Sequence, residues 1–96
     1  MLFYVGGLMK IEMKKFGKIL TSRTEGKEAV AVILSYKKEK NEVLELDFEG
    51  VVSVGPSWLD EVITVLYERL GRDKVMVNSN NPSVIESMKI ILGDEV

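Results

Sequence analysis

The chain predicts an α/β fold on a mixed, mainly parallel β-sheet. Three observations carry that prediction. Short apolar β-type runs alternate with amphipathic helical runs, the order that buries a parallel sheet under crossover helices. Gly71 and Gly93 close helical stretches and Pro82 opens one, which is the usual asymmetry of helix ends. Strands added in one direction through right-handed crossovers place successive helices on one face.

The elements follow in order. Residues 2–5 can pair with the next strand across Gly6-Gly7, a two-residue hairpin turn. The other reading starts translation at Met9 and leaves the first eight residues as a loose extension. Met9, Ile11 and Met13 alternate with Lys10, Glu12 and Lys14, a half-buried strand that Gly17 ends. Residues 18–22 (KILTS) give a second short strand, with Phe16 and Ile19 as core candidates. Thr24 caps a helix over residues 25–39, where Ala29, Val30, Ile33 and Tyr36 recur at helical spacing, and Asn41 marks its stop. Residues 42–48 form the third and best strand. A helix over residues 57–70 presents Trp58, Leu59, Val62, Ile63, Leu66, Tyr67 and Leu70 as one apolar stripe. Residues 74–78 are a fourth strand, and residues 79–82 turn the chain. The last helix spans residues 82–92, with Val84, Ile85, Met88, Ile91 and Leu92 facing in. No repeat or linker interrupts this series. Residues 1–96 are expected to form a single domain with a core over about residues 9–92.

Composition removes several function classes. A 96-residue chain buries about 65% of its unfolded surface, enough for a modest core. It has no cysteine and no histidine. Disulfides, Cys/His zinc sites, imidazole acid–base chemistry and Ser-His-Asp triads are therefore excluded. Ser-Lys and all-carboxylate chemistry stay formally open, but no nucleophile–base pair is visible, so no enzyme is expected. Neither GxGxxG nor GxxxxGK[ST] occurs. The apolar start is short, glycine-interrupted and without a basic leader, unlike a signal peptide or a membrane span; a cytoplasmic protein is expected. Net charge is −2, unevenly placed. Residues 1–41 hold nine Lys/Arg and four Asp/Glu; residues 42–96 hold four and eleven. A nucleic-acid patch would need Lys14, Lys15, Lys18, Lys37, Lys38 and Lys40 on one face. Without stacking aromatics or a groove-reading helix, these lysines read as solvated charge.

Function concentrates in LELDFEGVVSVGPSWLDE, residues 44–61, where a strand passes through a glycine-rich loop into a helix. That brings Asp47, Ser57, Asp60 and Glu61 near one strand-to-helix junction. Ligands of open α/β sheets bind beyond the carboxyl ends of strands, and a helix start offers free N–H groups.

With FGKILTSR at residues 16–23 and NSNNPSV at residues 78–84, this stretch resembles the STAS-like domain family, prokaryotic relatives of the anti-sigma factor antagonists. The resemblance covers about residues 9–92. It implies a four- to five-stranded mixed β-sheet with about three α-helices packed mainly on one face. It also implies a non-enzymatic regulatory module of signal transduction and transcription, without a cofactor or metal. Such a module docks on a histidine-kinase-like ATPase of the anti-sigma, serine-kinase type and is switched by phosphorylation of a serine at the start of the second helix. A protein partner is expected, a homodimer is allowed, and neither nucleic acid nor membrane is called for. The family's switch loop reads Asp-Ser-Ser-Gly where Gly55, Pro56, Ser57 and Trp58 stand here. The acceptor position falls on Pro56, which has no hydroxyl, and the neighbouring Ser57 survives.

Each candidate has a plain reading beside the functional one. Ser57 is either a helix cap, with Asp60 completing an imperfect capping box, or a phosphate acceptor. Asp60 and Glu61 are first-turn acids favoured by the helix dipole, or recognise a basic partner or Arg23. Asp47 is a strand-end acid accepting loop N–H bonds; a metal ligand is the weaker reading. Arg23 binds phosphate or pairs with Asp60 or Glu61 across the sheet. Trp58 is core, or an interface anchor if exposed. Asn78, Asn80 and Asn81 form turns or touch a polar ligand. The expected docking surface is the junction from Asp47 to Glu61 together with Ser22 and Arg23. The alternative function is a small-molecule or nucleotide-binding sensory domain.

Overall fold

The computed structural model describes residues 2–5, 7–36 and 42–93. Among the described residues six strands and three helices follow one another: β1 (Leu2–Val5), β2 (Leu8–Glu12), β3 (Ile19–Leu20), α1 (Arg23–Tyr36), β4 (Val43–Asp47), β5 (Ser53–Val54), α2 (Pro56–Leu70), β6 (Val75–Asn78) and α3 (Pro82–Leu92). Short 3-10 turns at Met13–Phe16 and Arg72–Lys74 lead into β3 and β6. The main sheet has the order β1-β2-β4-β6. β1 runs antiparallel to β2 with Val5 opposite Leu8, while β2, β4 and β6 are parallel. From β2 outward each strand is added on the same side, so the α1 and α2 crossovers cover one face, as the alternation predicted. Met9, Ile11, Leu44, Leu46 and Val75 are buried beneath them.

The element order is as expected, and several details differ. The run that began at Met9 does not continue through Met13. It turns into a 3-10 turn there, with Met13 still fully buried. The second strand shrinks from residues 18–22 to Ile19–Leu20, and it leaves the main sheet. It pairs in parallel with β5, a two-residue strand inside the stretch read as loop. Leu20 is the residue that goes inward, and Ile19 is 65% exposed, so Ile19 is not core. Thr24 does not cap α1, because the helix begins at Arg23. The Ser22 hydroxyl accepts from the Glu25 N–H at 3.0 Å and donates to the Glu25 carboxylate at 3.1 Å. A Ser-x-x-Glu arrangement has thus displaced the later start. The expected end of that helix, Asn41 and the lysines 37, 38 and 40 lie outside the described residues. Ile85, placed inward by periodicity, is 40% exposed at the outer side of α3, whereas Val84 and Met88 are buried.

The core is organised around Trp58. It sits in the first turn of α2 and is fully buried. Phe48 meets it edge to face at 6.2 Å between ring centroids, and Phe16 lies 6.5 Å away at a tilt. Such pairs add about 0.5–1.5 kcal/mol beyond their area. Among the described residues the Trp58 indole N–H has no hydrogen-bond partner. Its burial is therefore driven by packing alone.

α1 crosses α2 directly over this residue, at Gly26. A Cβ on Gly26 would stand 2.9 Å from the Trp58 carbonyl oxygen and 3.1 Å from the Glu61 Cβ. The clash is with backbone, which no rotamer change relieves. Gly26→Ala therefore lowers stability by about 1–3 kcal/mol through overpacking, outweighing the roughly 1 kcal/mol that alanine adds in helix propensity. Urea denaturation reads this directly. An unchanged or raised midpoint would mean that the two helices do not cross here.

Candidate functional site

The strand-to-helix junction is fixed from two sides. On one side the backbone of residues 18–20 receives the loop. The Lys18 carbonyl accepts from Val52 and Ser53, and the Leu20 carbonyl accepts from Gly55 at 2.8 Å. Gly55 lies against Thr21, where an added Cβ would be 3.4 Å from the Thr21 Cα.

On the other side the start of α3 holds the loop through side chains. Asn81 caps α3, its Oδ1 accepting from the Ser83 N–H at 2.8 Å. Its amide nitrogen donates to the carbonyls of Val51 and Val52 at 2.9 and 3.1 Å. The Ser83 hydroxyl accepts from the Val54 N–H at 2.9 Å and donates to the Val54 carbonyl at 3.1 Å. The Ser87 hydroxyl, buried one turn on, donates to the same carbonyl at 2.8 Å. One face of α3 thus substitutes for the missing neighbour strand of β5. The sequence reading does not include this staple, though Ser83 and Ser87 stand one helical turn apart in the helix that Pro82 opens. Two hydroxyls at that spacing beside buried Val84 and Met88 are the signal that could have shown it.

The expected surface residues do not form one cluster. Ser22, Arg23 and Asp60 come together: the Arg23 guanidinium donates to Asp60 at 3.1 Å, and Asp60 also accepts from the Thr64 hydroxyl at 2.8 Å. The pair joins α1 to α2 rather than crossing the sheet. It is partly exposed and worth at most about 1 kcal/mol.

Ser57 is not the cap of α2. The helix starts at Pro56, whose ring fixes a helical φ and whose missing N–H costs nothing at the first position. Gly55 is therefore the cap, and Ser57 is the second helical residue, exposed. Among the described residues its hydroxyl has no hydrogen-bond partner. The earlier start also moves Asp60 and Glu61 out of the first turn, so neither is a dipole-stabilised first-turn acid. Glu61 lies half-buried at the Gly26 crossing.

Asp47 belongs to a different place. It ends β4 on the uncovered face of the sheet, yet its side chain is only 8% exposed. Its Oδ1 accepts from the Glu49 N–H at 3.1 Å, the loop-holding role expected of a strand-end acid. Its Oδ2 lies 3.5 Å from the Lys10 ammonium, which is also 4.0 Å from Glu45. A cleft of about 360 Å³ opens there, walled by residues 47–51 and 78–81 with Lys10. None of Ser22, Arg23, Ser57, Asp60 or Glu61 lines it. Asn78 ends β6 and donates to Glu45 at 3.0 Å. Among the described residues no three His, Cys, Asp or Glu side chains gather as a metal-ligand group. No described helix is long and apolar enough to cross a membrane. Of the lysines considered for a basic patch, Lys14 pairs with Glu12 at 3.2 Å, and Lys15 lies on the Tyr36 ring and donates to its hydroxyl.

A family model described as a STAS-like domain of unknown function (DUF4325) matches residues 25–84, well over half of the chain. It spans Asp47, Ser57, Asp60, Glu61 and the staple through Ser83, and leaves Ser22 and Arg23 outside. No curated protein and no solved structure matches the chain significantly.

The staple predicts a local effect. Ser83→Ala leaves the Val54 N–H without its acceptor, a loss of about 1–3 kcal/mol where the group stays buried. In amide hydrogen exchange, protection at Val54 falls by about tenfold or more, further than at Leu44 and Leu46. Equal losses at all three would show that Ser83 supports the fold generally and does not hold this loop.

Proposed function

The chain belongs to the STAS-like domain family, and from that premise we propose that it is a non-enzymatic regulatory module that works by docking on a protein partner. The partner is a histidine-kinase-like ATPase of the anti-sigma, serine-kinase type or a similar signalling protein. The observation that carries the reading is the surface around the α2 start. Ile19 is 65% and Val52 63% exposed, on two chain segments hydrogen-bonded to each other. Thr21, Ser22, Pro56 and Ser57 extend the same ribbon and are exposed too, with the Arg23–Asp60 pair at its end.

Apolar side chains on a hydrogen-bonded, stapled loop cost little ordering entropy when a partner covers them. Regulation is by serine phosphorylation at Ser57. Its free hydroxyl stands at a helix start where the backbone N–H groups of Ser57 and Trp58 have no intrahelical acceptor and favour added negative charge. Asp60 and Glu61 follow three and four residues on along the same helix, and the pairing of Asp60 with Arg23 reduces the repulsion of a phosphate by that acid. The module acts inside the cell, where such kinases and ATP are found.

Incubated with ATP and the histidine-kinase-like ATPase encoded nearest its own gene, the chain takes phosphate on Ser57, and Ser57→Ala takes none. Mass spectrometry locates the site; phosphate elsewhere, or nowhere, defeats the switch. Docking is read separately with the double variant Ile19→Glu, Val52→Glu, whose positions are solvent-exposed and do not threaten the core. It binds the ATPase about tenfold or more weaker, as loss of apolar anchors does. Full binding by that variant would place the interface elsewhere.

A further inference from the structure

We propose that the cleft at the carboxyl ends of β4 and β6 binds a small organic cation, a primary amine carrying hydroxyl or amide groups, with Asp47 as its counter-ion. The inference is independent of the docking surface, since it uses different residues. The cleft lies beyond the carboxyl ends of two adjacent parallel strands, between the loops that follow them. It has a built floor. The Asp47 side chain is more than nine-tenths buried, accepts from one loop N–H and lies 3.5 Å from the Lys10 ammonium.

Charge decides the class of ligand. Lys10, Asp47 and Glu49 line the cleft, leaving one excess negative charge. Glu45, at 4.0 Å from Lys10, competes for the only cation among the lining residues. Phosphates and carboxylates would meet two carboxylates and a lysine already engaged. An ammonium would instead join Asp47 at a position where Lys10 supplies only a 3.5 Å contact. Ser79, Asn80 and Gly50 offer hydroxyl, amide and backbone groups along the wall for a ligand's neutral part. The volume suits a molecule of about ten to twenty heavy atoms or fewer.

The site also touches the regulatory loop. Val51 and Asn81 line the cleft, and the Asn81 amide bonds the Val51 carbonyl across it. An occupant would therefore press on one end of the staple that holds the docking ribbon.

The test is a titration of the ¹⁵N-labelled chain followed by amide NMR shifts. The probes are ethanolamine and glycinamide, with acetate and inorganic phosphate as anions. The amines shift Gly50, Ser79 and Asn80 saturably, and the anions do not. Asp47→Asn keeps the acceptor for the Glu49 N–H but loses the charge, and it weakens amine binding at least about tenfold. Lys10→Met removes the internal competitor and tightens amine binding about two- to fivefold; at an anion site it would weaken binding. Ser57→Ala leaves the affinity unchanged. Saturation by anions, no saturation by either amine, or undiminished binding by Asp47→Asn overturns the proposal. If Lys10→Met fails to fold, Asp47→Asn decides alone.

Discussion

The burial of Trp58 is the constraint on which the rest of the structure turns. Its position in the first turn of α2 ties the start of that helix to the core. Phe48 reaches it from the end of β4, and Phe16 from the turn before β3. α1 then approaches so closely that only a glycine fits, because Gly26 lies over the Trp58 carbonyl. The backbone at Trp58 thus sets the distance between two helices, and the buried indole fixes the place where the loop between β4 and α2 must end. The indole N–H, without a partner among the described residues, costs part of the stabilisation. Packing of this large side chain outweighs it, since burying an aromatic of this size contributes several kcal/mol.

From that anchor the loop between β4 and α2 has little freedom. It begins at Asp47, fixed through the Glu49 N–H, and ends at Gly55, bonded to the Leu20 carbonyl. Between them β5 pairs on one side with β3 and on the other with hydroxyls of α3. Parallel strands of two residues have little stability alone, so the side-chain staple supplies what the backbone ladder lacks. The result is an exposed ribbon with buried supports. Ile19 and Val52 face solvent while their neighbours Leu20, Val51 and Val54 are in the core. Recognition surfaces gain from this arrangement because the ordering entropy is already spent before a partner arrives.

Much of this was legible in the sequence, for physical reasons. α3 could be bounded by Pro82 and Gly93 because each marks its end by backbone geometry. β2 was legible from the alternation of Met9 and Ile11 with Lys10 and Glu12. β5 did not, since two residues carry no period and its partners come from distant segments. Ile19 pointed outward for the same reason: in a two-residue strand nothing local says which side faces the core. Ser57 has the residue type of a cap, but Pro56 begins the helix and leaves that place to Gly55. Asp47 and Ser57, ten residues apart, were grouped by sequence proximity. The chain between them bends around the end of β4 and leaves them at separate places, one in a cleft and one on a ridge. Arg23 meets Asp60 because the start of α1 lies beside α2.

The central claim is that the segment from Val52 to Trp58 is a preset platform and does not order only when a partner binds. Backbone ¹⁵N relaxation of the free chain tests it most directly. The account predicts order parameters for these residues near 0.85, the level of rigid backbone, matching β4 and α2. Values below about 0.6 across Val52, Ser53 and Val54 would contradict it. They would show that the staple from α3 does not hold the loop in solution.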